Sequence, residues 1–380
     1  MKILHVITDL DTGGAEMMLL KLLSRLDPEK FAPHVVSLLR PGPVAERIKK
    51  LGVGVSDLGL SRGLPTPGAF LRLSKIIKDF NPDIVQTWMY HADLIGFLAA
   101  KLARTGKVIW NIRCSNMELA DYRPLTRWTL TVNTRLSRFP ACVITNSYQA
   151  KEYHQGLGYR PRRFEVIPNG FDLDAFRPDE SAGADLRREL NIPDNAPLIG
   201  LAARFDPMKG HDTFTEAAGL LLKTRPDVHF VLCGSGITKH NQALAEAARR
   251  AGLEKNAHLL GPRPDMPRIM AALNVATLSS SYGEGFPNVL GEAMACGTPC
   301  VVTDVGDSAR IVGDTGLVAA PRDPQALARA WKRMLDMPEE ERTALGRAAR
   351  DRIRGHYSLE TVTKRYAKLY EEIASGRKSS

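Results

Sequence analysis

The sequence predicts an α/β protein with two doubly wound domains, and three observations support this. Apolar, β-branched segments alternate with amphipathic helical segments along the chain. The alternation stops in a stretch rich in Asp, Pro and Gly between residues 168 and 197, and then restarts. The 380 residues exceed the size at which a single hydrophobic core stops growing. Continuous apolar strands between helices are typical of parallel sheets covered on both faces.

The first half contains six strand-like and four helix-like segments. The strands are short runs rich in Val, Ile and Leu, and the helices carry apolar residues spaced three and four apart. In chain order, the segments cover residues 2–8, 16–24, 34–39, 44–51, 70–79, 84–87, 94–102, 108–112, 142–146 and 165–167.

The second half repeats the pattern with five strands and five helices before a closing helix. These ten segments cover residues 198–203, 214–223, 229–233, 242–251, 258–260, 266–272, 275–279, 287–296, 299–303 and 324–335. The closing helix starts after Ser358, a plausible N-cap, and buries one apolar stripe. We place the domains at residues 1–172 and 173–357, with the closing helix at about 358–376. Ligands of such sheets bind at the carboxyl ends of the strands, so we expect two binding edges facing one cleft.

The net charge of +10 is concentrated in the first half of the chain. Residues 1–172 hold 24 Lys and Arg against 15 Asp and Glu, whereas residues 173–380 hold 28 against 27. Such asymmetry indicates an acidic partner: nucleic acid, an anionic membrane surface or a phosphorylated substrate. No recognition-helix motif, RNA-binding aromatic pattern or zinc module supports nucleic acid.

Other features of the sequence favour a cytoplasmic protein. The longest apolar runs are too short to span a bilayer, and the first strand does not read as a signal peptide. The five cysteines show no metal-ligand spacing, so we expect buried free thiols, Cys114 among them. Residues 375–380 are expected to be disordered.

The most informative segment is 279–299, in which a strand ends, a glycine-flanked loop follows and a helix begins. Proline is favoured at the first helical position, here Pro287, and Gly297 closes the helix. The amides that begin this helix suit a diphosphate. Glu292, inside the helix, is placed to accept hydrogen bonds from ribose hydroxyls, and Glu284 lies in the loop. The alternative is an ordinary strand–loop–helix with two surface glutamates.

The sequence EGFPNVLGE at 284–292 resembles the E-x7-E motif of retaining GT-B glycosyltransferases, specifically of glycosyltransferase family 4. The resemblance runs over essentially the whole chain in the same order. It includes an N-terminal glycine loop, an Arg…Lys phosphate pair and two loops around the nucleoside, at residues 11–16, 203–210, 231–236 and 260–263. It implies an N-terminal acceptor-side domain and a C-terminal domain that binds a nucleotide sugar.

The resemblance also implies roles for individual residues. Arg204 and Lys209 would hold the donor pyrophosphate, Glu284 the donor sugar and Glu292 the ribose. The remaining implied donor contacts are Gly13, Gly14, Gly234, Arg263, Gly285, Phe286, Pro287, Asn288 and Val289. The leaving diphosphate would be stabilised without a metal or other cofactor, which agrees with the lack of an Asp-x-Asp at a strand end in the expected cleft.

One position departs from the family pattern. Many members carry a histidine after the strand equivalent to residues 108–112, and this chain has Arg113 close to that place. Arg113 and His91 are therefore candidate acceptor-site residues, and a structural role remains open for each.

The acceptor and the donor base are not specified. Uridine-diphosphate sugars and GDP-mannose both fit, and the resemblance implies a glycan or lipid-linked glycan acceptor in surface polysaccharide assembly. Segment 123–139 carries Leu125, Trp128, Val132, Leu136 and Phe139 on one helical stripe, with Arg123, Arg127 and Arg138 opposite. It is either a core helix with a solvated basic face or a contact with an anionic membrane.

Two other classes of protein compete with the transferase. The first is another enzyme on the same fold, either a nucleotide-sugar epimerase, which would need no acceptor, or a glycan phosphorylase, for which this chain is too short. The second is a basic nucleic-acid-binding protein.

Overall fold

The computed structural model describes residues 1–60, 67–105, 107–113 and 122–376. The chain divides into two compact units. Unit 1 comprises Met1–Gly170 and Leu359–Ser380, and unit 2 comprises Phe171–Ser358. The division predicted at residues 172–173 lies two residues from the one in the structure. That unit 1 serves the acceptor and unit 2 the donor stays a prediction.

Unit 1 is built on a parallel sheet in the order β3-β2-β1-β4-β5-β6-β7. Its strands are β1 Lys2–Ile7, β2 Ala32–Leu39, β3 Gly54–Leu60, β4 Ile84–Trp88, β5 Val108–Ile112, β6 Cys142–Thr145 and β7 Phe164–Val166. The connecting helices are α1 Gly14–Leu23, α2 Pro43–Lys49, α3 Pro67–Phe80, α4 Tyr90–Leu102, α5 Pro124–Leu136 and α6 Tyr148–Gly156. Strand order reverses between β1 and β4, which creates a topological switch point.

Unit 2 repeats this order as β10-β9-β8-β11-β12-β13, again with all strands parallel. Its strands are β8 Leu198–Ala202, β9 His229–Cys233, β10 Ala257–Leu259, β11 Val275–Leu278, β12 Cys300–Thr303 and β13 Gly316–Ala319. Its helices are α7 Ala182–Leu190, α8 His211–Leu222, α9 Gln242–Arg250, α10 Met266–Ala272, α11 Asn288–Ala295, α12 Ser308–Val312, α13 Pro324–Asp336 and α14 Glu339–His356. The switch point of unit 2 lies between β8 and β11.

Alternating side chains of each strand feed two hydrophobic layers. In β1, Ile3 and Ile7 pack under α1 and α2, whereas Leu4 and Val6 pack under α3, α4 and α5. Unit 2 has the same two-layered core. The last helix, α15 Leu359–Ser375, buries its predicted apolar stripe in unit 1, where the Tyr370 hydroxyl donates to Gln86 Oε1 at 2.5 Å.

The structure contains elements that the sequence patterns did not predict. The edge strands β3 and β13 each contain Gly and are only partly buried, so their apolar signal is weak. Helix α11 starts one residue later than predicted, with Pro287 as its N-cap, and Gly297 follows its end with φ +76°. Helices α6, α7, α12 and α14 were also not predicted.

One predicted packing arrangement is wrong. Trp128 was placed on the apolar stripe of α5, but its side chain is 56% exposed and lies on the same side of the helix as Arg127. Leu130, the one apolar residue that α5 buries, lies on the opposite side of the helix.

Four cysteines are buried free thiols, as predicted, whereas Cys114 lies outside the described residues. Residues 375–380 were predicted to be disordered, but Ser375 is the last residue of α15, and residues 377–380 lie outside the described residues. Among the helices described, none combines the length and the apolar character that a bilayer crossing requires.

Candidate functional site

The predicted phosphate and sugar contacts of unit 2 meet at its topological switch point. Arg204 and Lys209 follow the carboxyl end of β8, and Glu284 follows that of β11. These two strands are neighbours in the sheet, with Thr277 of β11 paired to Leu201 of β8. Since the connections of adjacent strands diverge at this point, a crevice opens there in doubly wound folds.

Lys209 and Glu284 form a buried ion pair. The Lys209 ammonium donates to Glu284 Oε1 at 2.5 Å, and the side chains are 15% and 6% exposed. The Ser280 hydroxyl donates to the same oxygen, also at 2.5 Å. The carboxylate is therefore held by one cation and one hydroxyl in a largely water-excluded place, where charge-assisted hydrogen bonds are strong.

A short 3-10 turn, Pro207–Lys209, presents the lysine. Asp206 caps the turn by accepting a hydrogen bond from the Met208 amide at 2.9 Å. Gly210 follows with φ +63°, and a Cβ there would lie 2.1 Å from the carbonyl oxygen of Ser279. The Ser279 hydroxyl in turn donates to the Lys209 carbonyl at 2.9 Å. The turn is thus joined directly to the segment that leaves β11.

Arg204 is the more accessible of the two predicted phosphate ligands, with 59% of its side chain exposed. Its Nε donates to Asp206 Oδ2 at 3.0 Å. Burial raises the pKa of Asp206, but the Met208 amide and the Arg204 guanidinium lower the pKa by more, so the net shift is downward. Asp206 therefore stays ionised and orients an arginine that remains open to an anion.

The start of α11 is fixed from behind by aromatic packing. Phe286 is buried, with its ring centroid 6.0 Å from that of Phe171 and 5.6 Å from that of Tyr357. Pro287 makes no side-chain cap. The first amides of an α-helix have no acceptor within the helix, and they carry partial positive charge. Glu292 lies five residues into α11 and is half-buried.

The loops after β8, β9 and β10 are joined by backbone hydrogen bonds. The Gly234 amide donates to the Gly261 carbonyl at 2.9 Å, and the Phe205 amide donates to the Ser235 carbonyl at 2.7 Å. Gly234 has φ +141°, and a Cβ there would lie 2.1 Å from the carbonyl oxygen of Ala203. This position therefore needs glycine for the protein's own packing, whether or not a ligand binds.

In unit 1, the predicted glycine loop follows β1 at the corresponding switch point. Gly13 is the N-cap of α1 and Gly14 is its first residue, and no side chain caps the helix. A Cβ on Gly14 would meet no described atom within 4 Å, and Gly14 is not at positive φ. The described structure gives no internal reason for glycine there.

Family models match both halves of the chain. The model described as Glycosyltransferase Family 4 matches residues 12–175, and that described as Glycosyl transferases group 1 matches residues 184–352. The D-inositol 3-phosphate glycosyltransferase of Kribbella flavida is 30% identical over 96% of this chain and 93% of its own length. This chain is a family 4 glycosyltransferase.

Further comparisons agree with this assignment. A GDP-mannose-dependent monoacylated alpha-(1-6)-phosphatidylinositol monomannoside mannosyltransferase of Corynebacterium glutamicum is 26% identical to this glycosyltransferase over 94% of each chain. A D-inositol 3-phosphate glycosyltransferase of Corynebacterium urealyticum is 30% identical, over 61% of this chain and 56% of that protein. The fold matches Anabaena HepE in complex with UDP at a TM-score of 0.84, with 24% identity, covering 98% of this chain and 100% of that one. The glycosyltransferase thus has the predicted GT-B fold.

Arg263 of the glycosyltransferase forms ion pairs with other residues of unit 2. Its guanidinium donates to Glu189 at 2.7 Å and to Asp265 at 2.8 Å, and Arg268 joins the same carboxylates. The two arginines lower the pKa of Asp265 by hydrogen bonding. This network joins α7 to the loop before α10, so Arg263 has a structural function, and its predicted contact with the donor stays a prediction.

Arg113 is likewise held inside unit 1 of the glycosyltransferase. It donates to the Tyr366 hydroxyl at 2.9 Å, to Asn111 Oδ1 at 3.3 Å and to Asn169 Oδ1. Its guanidinium lies 5.7 Å from the ring centroid of Trp88, a cation–π distance. Burial lowers the pKa of Arg113, while its contact with Tyr366 opposes that shift.

His91 lies in the first turn of α4 rather than at the end of β4. Its ring nitrogens are 3.3 Å and 3.4 Å from the hydroxyl oxygens of Thr126 and Thr129 of α5, and burial lowers its pKa. Structural partners therefore exist for both candidate acceptor residues, and their contacts with an acceptor stay predictions.

Two residues at the site of the glycosyltransferase were not predicted from the sequence. Ser280 holds Glu284, but a serine in a Ser-Ser-Ser segment gives no signal of that contact. His211 follows Gly210 and is 4% exposed, and neither ring nitrogen has a hydrogen-bond partner among the described residues. Burial lowers the pKa of His211 to about 4. Its position two residues after Lys209 was the available clue.

Proposed function

We propose that this glycosyltransferase moves a hexose or N-acetylhexosamine from a nucleoside-diphosphate sugar to a glycan or lipid-linked glycan. We further propose that the reaction retains the anomeric configuration and needs no metal ion. One observation carries the proposal: Lys209, Glu284 and Ser280 form a buried polar cluster at the switch point of unit 2. Strand ends at such a point are where doubly wound sheets bind nucleotides.

The reaction requires the site to stabilise the negative charge of the leaving group. Breaking the anomeric C–O bond leaves negative charge on the nucleoside diphosphate and positive character on the sugar. In the proposed complex Arg204 and Lys209 neutralise the diphosphate, and the backbone amides that begin α11 donate to its oxygens. These preorganised groups supply the charge stabilisation that a divalent cation supplies in other transferases.

Glu284 is proposed to bind the donor sugar. Its carboxylate accepts from Lys209 and Ser280 at Oε1. A carboxylate has further acceptor capacity, which a sugar hydroxyl would use.

Glu292 is proposed to accept from the ribose hydroxyls. Gly285, Phe286, Pro287, Asn288 and Val289 would contribute the loop and amides around the diphosphate, and Gly234 the loop near the nucleoside.

Retention follows in the proposal from a same-face displacement. The departing diphosphate oxygen takes the proton of the acceptor hydroxyl as the new glycosidic bond forms on the face that the leaving group vacates. No protein nucleophile is then required, and the protein's task is to hold the donor and to stabilise the charge.

Two similar proteins indicate two candidate donor bases. One relative is named for GDP-mannose, and one structural neighbour was solved with UDP. We therefore propose a uridine or guanosine diphosphate sugar. A thermal-shift screen with UDP, GDP and their sugars separates the two bases.

Transfer assays with the stabilising donor then test the proposal. We expect the wild type to remain active in excess EDTA, and the Lys209→Ala/Glu284→Gln variant to lose turnover by more than about 100-fold. Full turnover by that variant, or stabilisation by neither nucleotide, would contradict the site. Proton NMR of the product's anomeric signal reports retention or inversion.

A further inference from the structure

The solvent-facing side of α4 and α5 in unit 1 exposes large apolar side chains. We call this surface the α4/α5 face. Trp128 of α5 is 56% exposed, and Phe139, in the turn after α5, is 49% exposed. Leu98 and Leu102, one turn apart on α4, are 41% and 46% exposed. Single exposed apolar residues are ordinary, but four on two adjacent helices and the turn that follows one of them call for an explanation.

The two helices form one continuous surface at their C-terminal ends. The ring of Phe139 stacks on that of Phe97 of α4, with centroids 6.4 Å apart. The Lys101 ammonium lies 5.5 Å from the centroid of Phe97, and the Arg138 guanidinium lies 4.9 Å from that of Phe139. Cations and apolar groups therefore alternate within the same patch.

The α4/α5 face is strongly basic. Arg127, Arg135 and Arg138 are exposed, and residues 123–139 contain no Asp or Glu. The only acid of α4, Asp93, is fully buried, where it accepts from the Thr87 hydroxyl at 2.5 Å. Within the part of the chain that the structure describes, no carboxylate pairs with these three arginines. Their positive charge is thus uncompensated on these two helices.

We propose that the α4/α5 face docks this protein on membranes that contain anionic lipids. An exposed tryptophan is favoured at the level of lipid head groups, and leucines and phenylalanines insert just below it. Each nearby Lys or Arg adds attraction to an anionic surface. Docking through this surface does not depend on the donor chemistry proposed above.

Other occupants fit the face less well. A second copy of the chain would bring like charges together across the contact, which disfavours association. A nucleic-acid backbone would engage the arginines but would leave Leu98, Leu102 and Trp128 without apolar partners.

Vesicle co-sedimentation tests the proposal. The 380-residue chain should bind vesicles of phosphatidylcholine with 30% phosphatidylglycerol, and bind pure phosphatidylcholine weakly. The Arg127→Glu/Arg135→Glu/Arg138→Glu variant should lose about 100-fold in partition coefficient. The matched control Arg329→Glu/Arg333→Glu/Arg347→Glu changes three exposed arginines of unit 2 by the same total charge and should bind as the wild type does.

Tryptophan fluorescence gives an independent measurement of depth. The other three tryptophans, Trp88, Trp110 and Trp331, are fully buried, so a brominated lipid should quench only Trp128. Quenching should disappear in Trp128→Phe while co-sedimentation persists.

Three results would overturn the proposal: equal binding by the two triple variants, no quenching of Trp128, or binding of duplex nucleic acid or a second copy of the chain in place of vesicles. Nucleotide thermal shifts of the variants verify folding and separate this question from donor binding.

Discussion

Lys209 Nζ lies 2.5 Å from Glu284 Oε1, so the residue expected to bind the diphosphate and the one expected to bind the sugar neutralise each other. The pair is largely buried, and the Ser280 hydroxyl completes it. Removing one member of a buried pair leaves an uncompensated charge, whereas removing both does not. Comparing single and double variants of the pair therefore separates its effect on stability from its proposed effect on catalysis.

A double-mutant cycle at this pair should show strong coupling. Lys209→Met alone is expected to lower the free energy of unfolding by about 3 kcal/mol, because Glu284 stays buried without its cation. Lys209→Met/Glu284→Gln should cost less than the sum of the single changes. Transfer activity should be lost in Lys209→Met, in Glu284→Gln and in the double variant. Urea denaturation and transfer rates measure the two effects, and additive stabilities would contradict the coupling.

Gly14→Ala tests whether the glycine loop of unit 1 is kept for a ligand. A Cβ there meets no described atom, so stability should be unchanged or higher by about 0.5 kcal/mol. If a phosphate approaches this backbone, donor affinity should fall about tenfold, or 1.4 kcal/mol. The control is Gly68→Ala at the start of α3, where a Cβ also meets nothing within 4 Å. Donor titration calorimetry should show the loss in Gly14→Ala only; equal affinities would remove Gly14 from the site.

Gly210→Ala is expected to destabilise the turn that carries Lys209. Its Cβ would collide with the Ser279 carbonyl, and its φ is +63°. Gly252 has φ +70° but open space around it, so Gly252→Ala measures the cost of the left-handed backbone alone, about 1 kcal/mol. We expect Gly210→Ala to lower the free energy of unfolding by at least about 2 kcal/mol more than Gly252→Ala does, and to reduce kcat. Equal losses of stability in the two variants, measured by urea denaturation, would mean that the Ser279 carbonyl does not exclude a Cβ at position 210.

Tyr366→Phe distinguishes a structural from a substrate-binding Arg113. The hydroxyl of Tyr366 accepts from both Arg113 and Asn111, so its removal should cost about 2 kcal/mol of stability. If Arg113 is structural, KM for donor and acceptor should stay at the wild-type values. A rise in KM of the acceptor alone would show that the orientation of Arg113 matters for the substrate.

The buried His211 should make stability depend on pH. Its pKa in the folded protein is about 4, below the unfolded value of 6.5, because burial disfavours the charged ring. As pH falls below 6.5 the unfolded chain binds the proton first, so the stability that depends on a neutral His211 is fully present above pH 6.5 and is lost as pH falls towards 4. Between pH 7 and pH 5 this effect lowers the free energy of unfolding by about 2 kcal/mol. His211→Gln should therefore show a shallower loss of stability in urea denaturation over this range, and an unchanged slope would contradict the assignment.

Much of the fold could be predicted because the buried sides of helices and strands require apolar residues at regular spacings in the sequence. Strands β1, β4 and β5 are buried along nearly their whole length, contain mostly apolar residues and were located within one residue. The edge strands β3 and β13 were missed because an edge is half-solvated and tolerates Gly and polar residues. Trp128 was assigned to the wrong side of α5 because helical spacing alone does not tell which side of a helix meets the sheet.

The chain alone determined the alternation of strands and helices, the family motif at 284–292 and the basic first half, since these are local or additive properties of residues. The tertiary structure decided which residues meet: Lys209 with Glu284 across 75 positions of sequence, and Arg113 with Tyr366 across 253. Parallel strands that are neighbours in a sheet can be distant in the chain, so the partners at their ends are fixed by strand order and not by spacing.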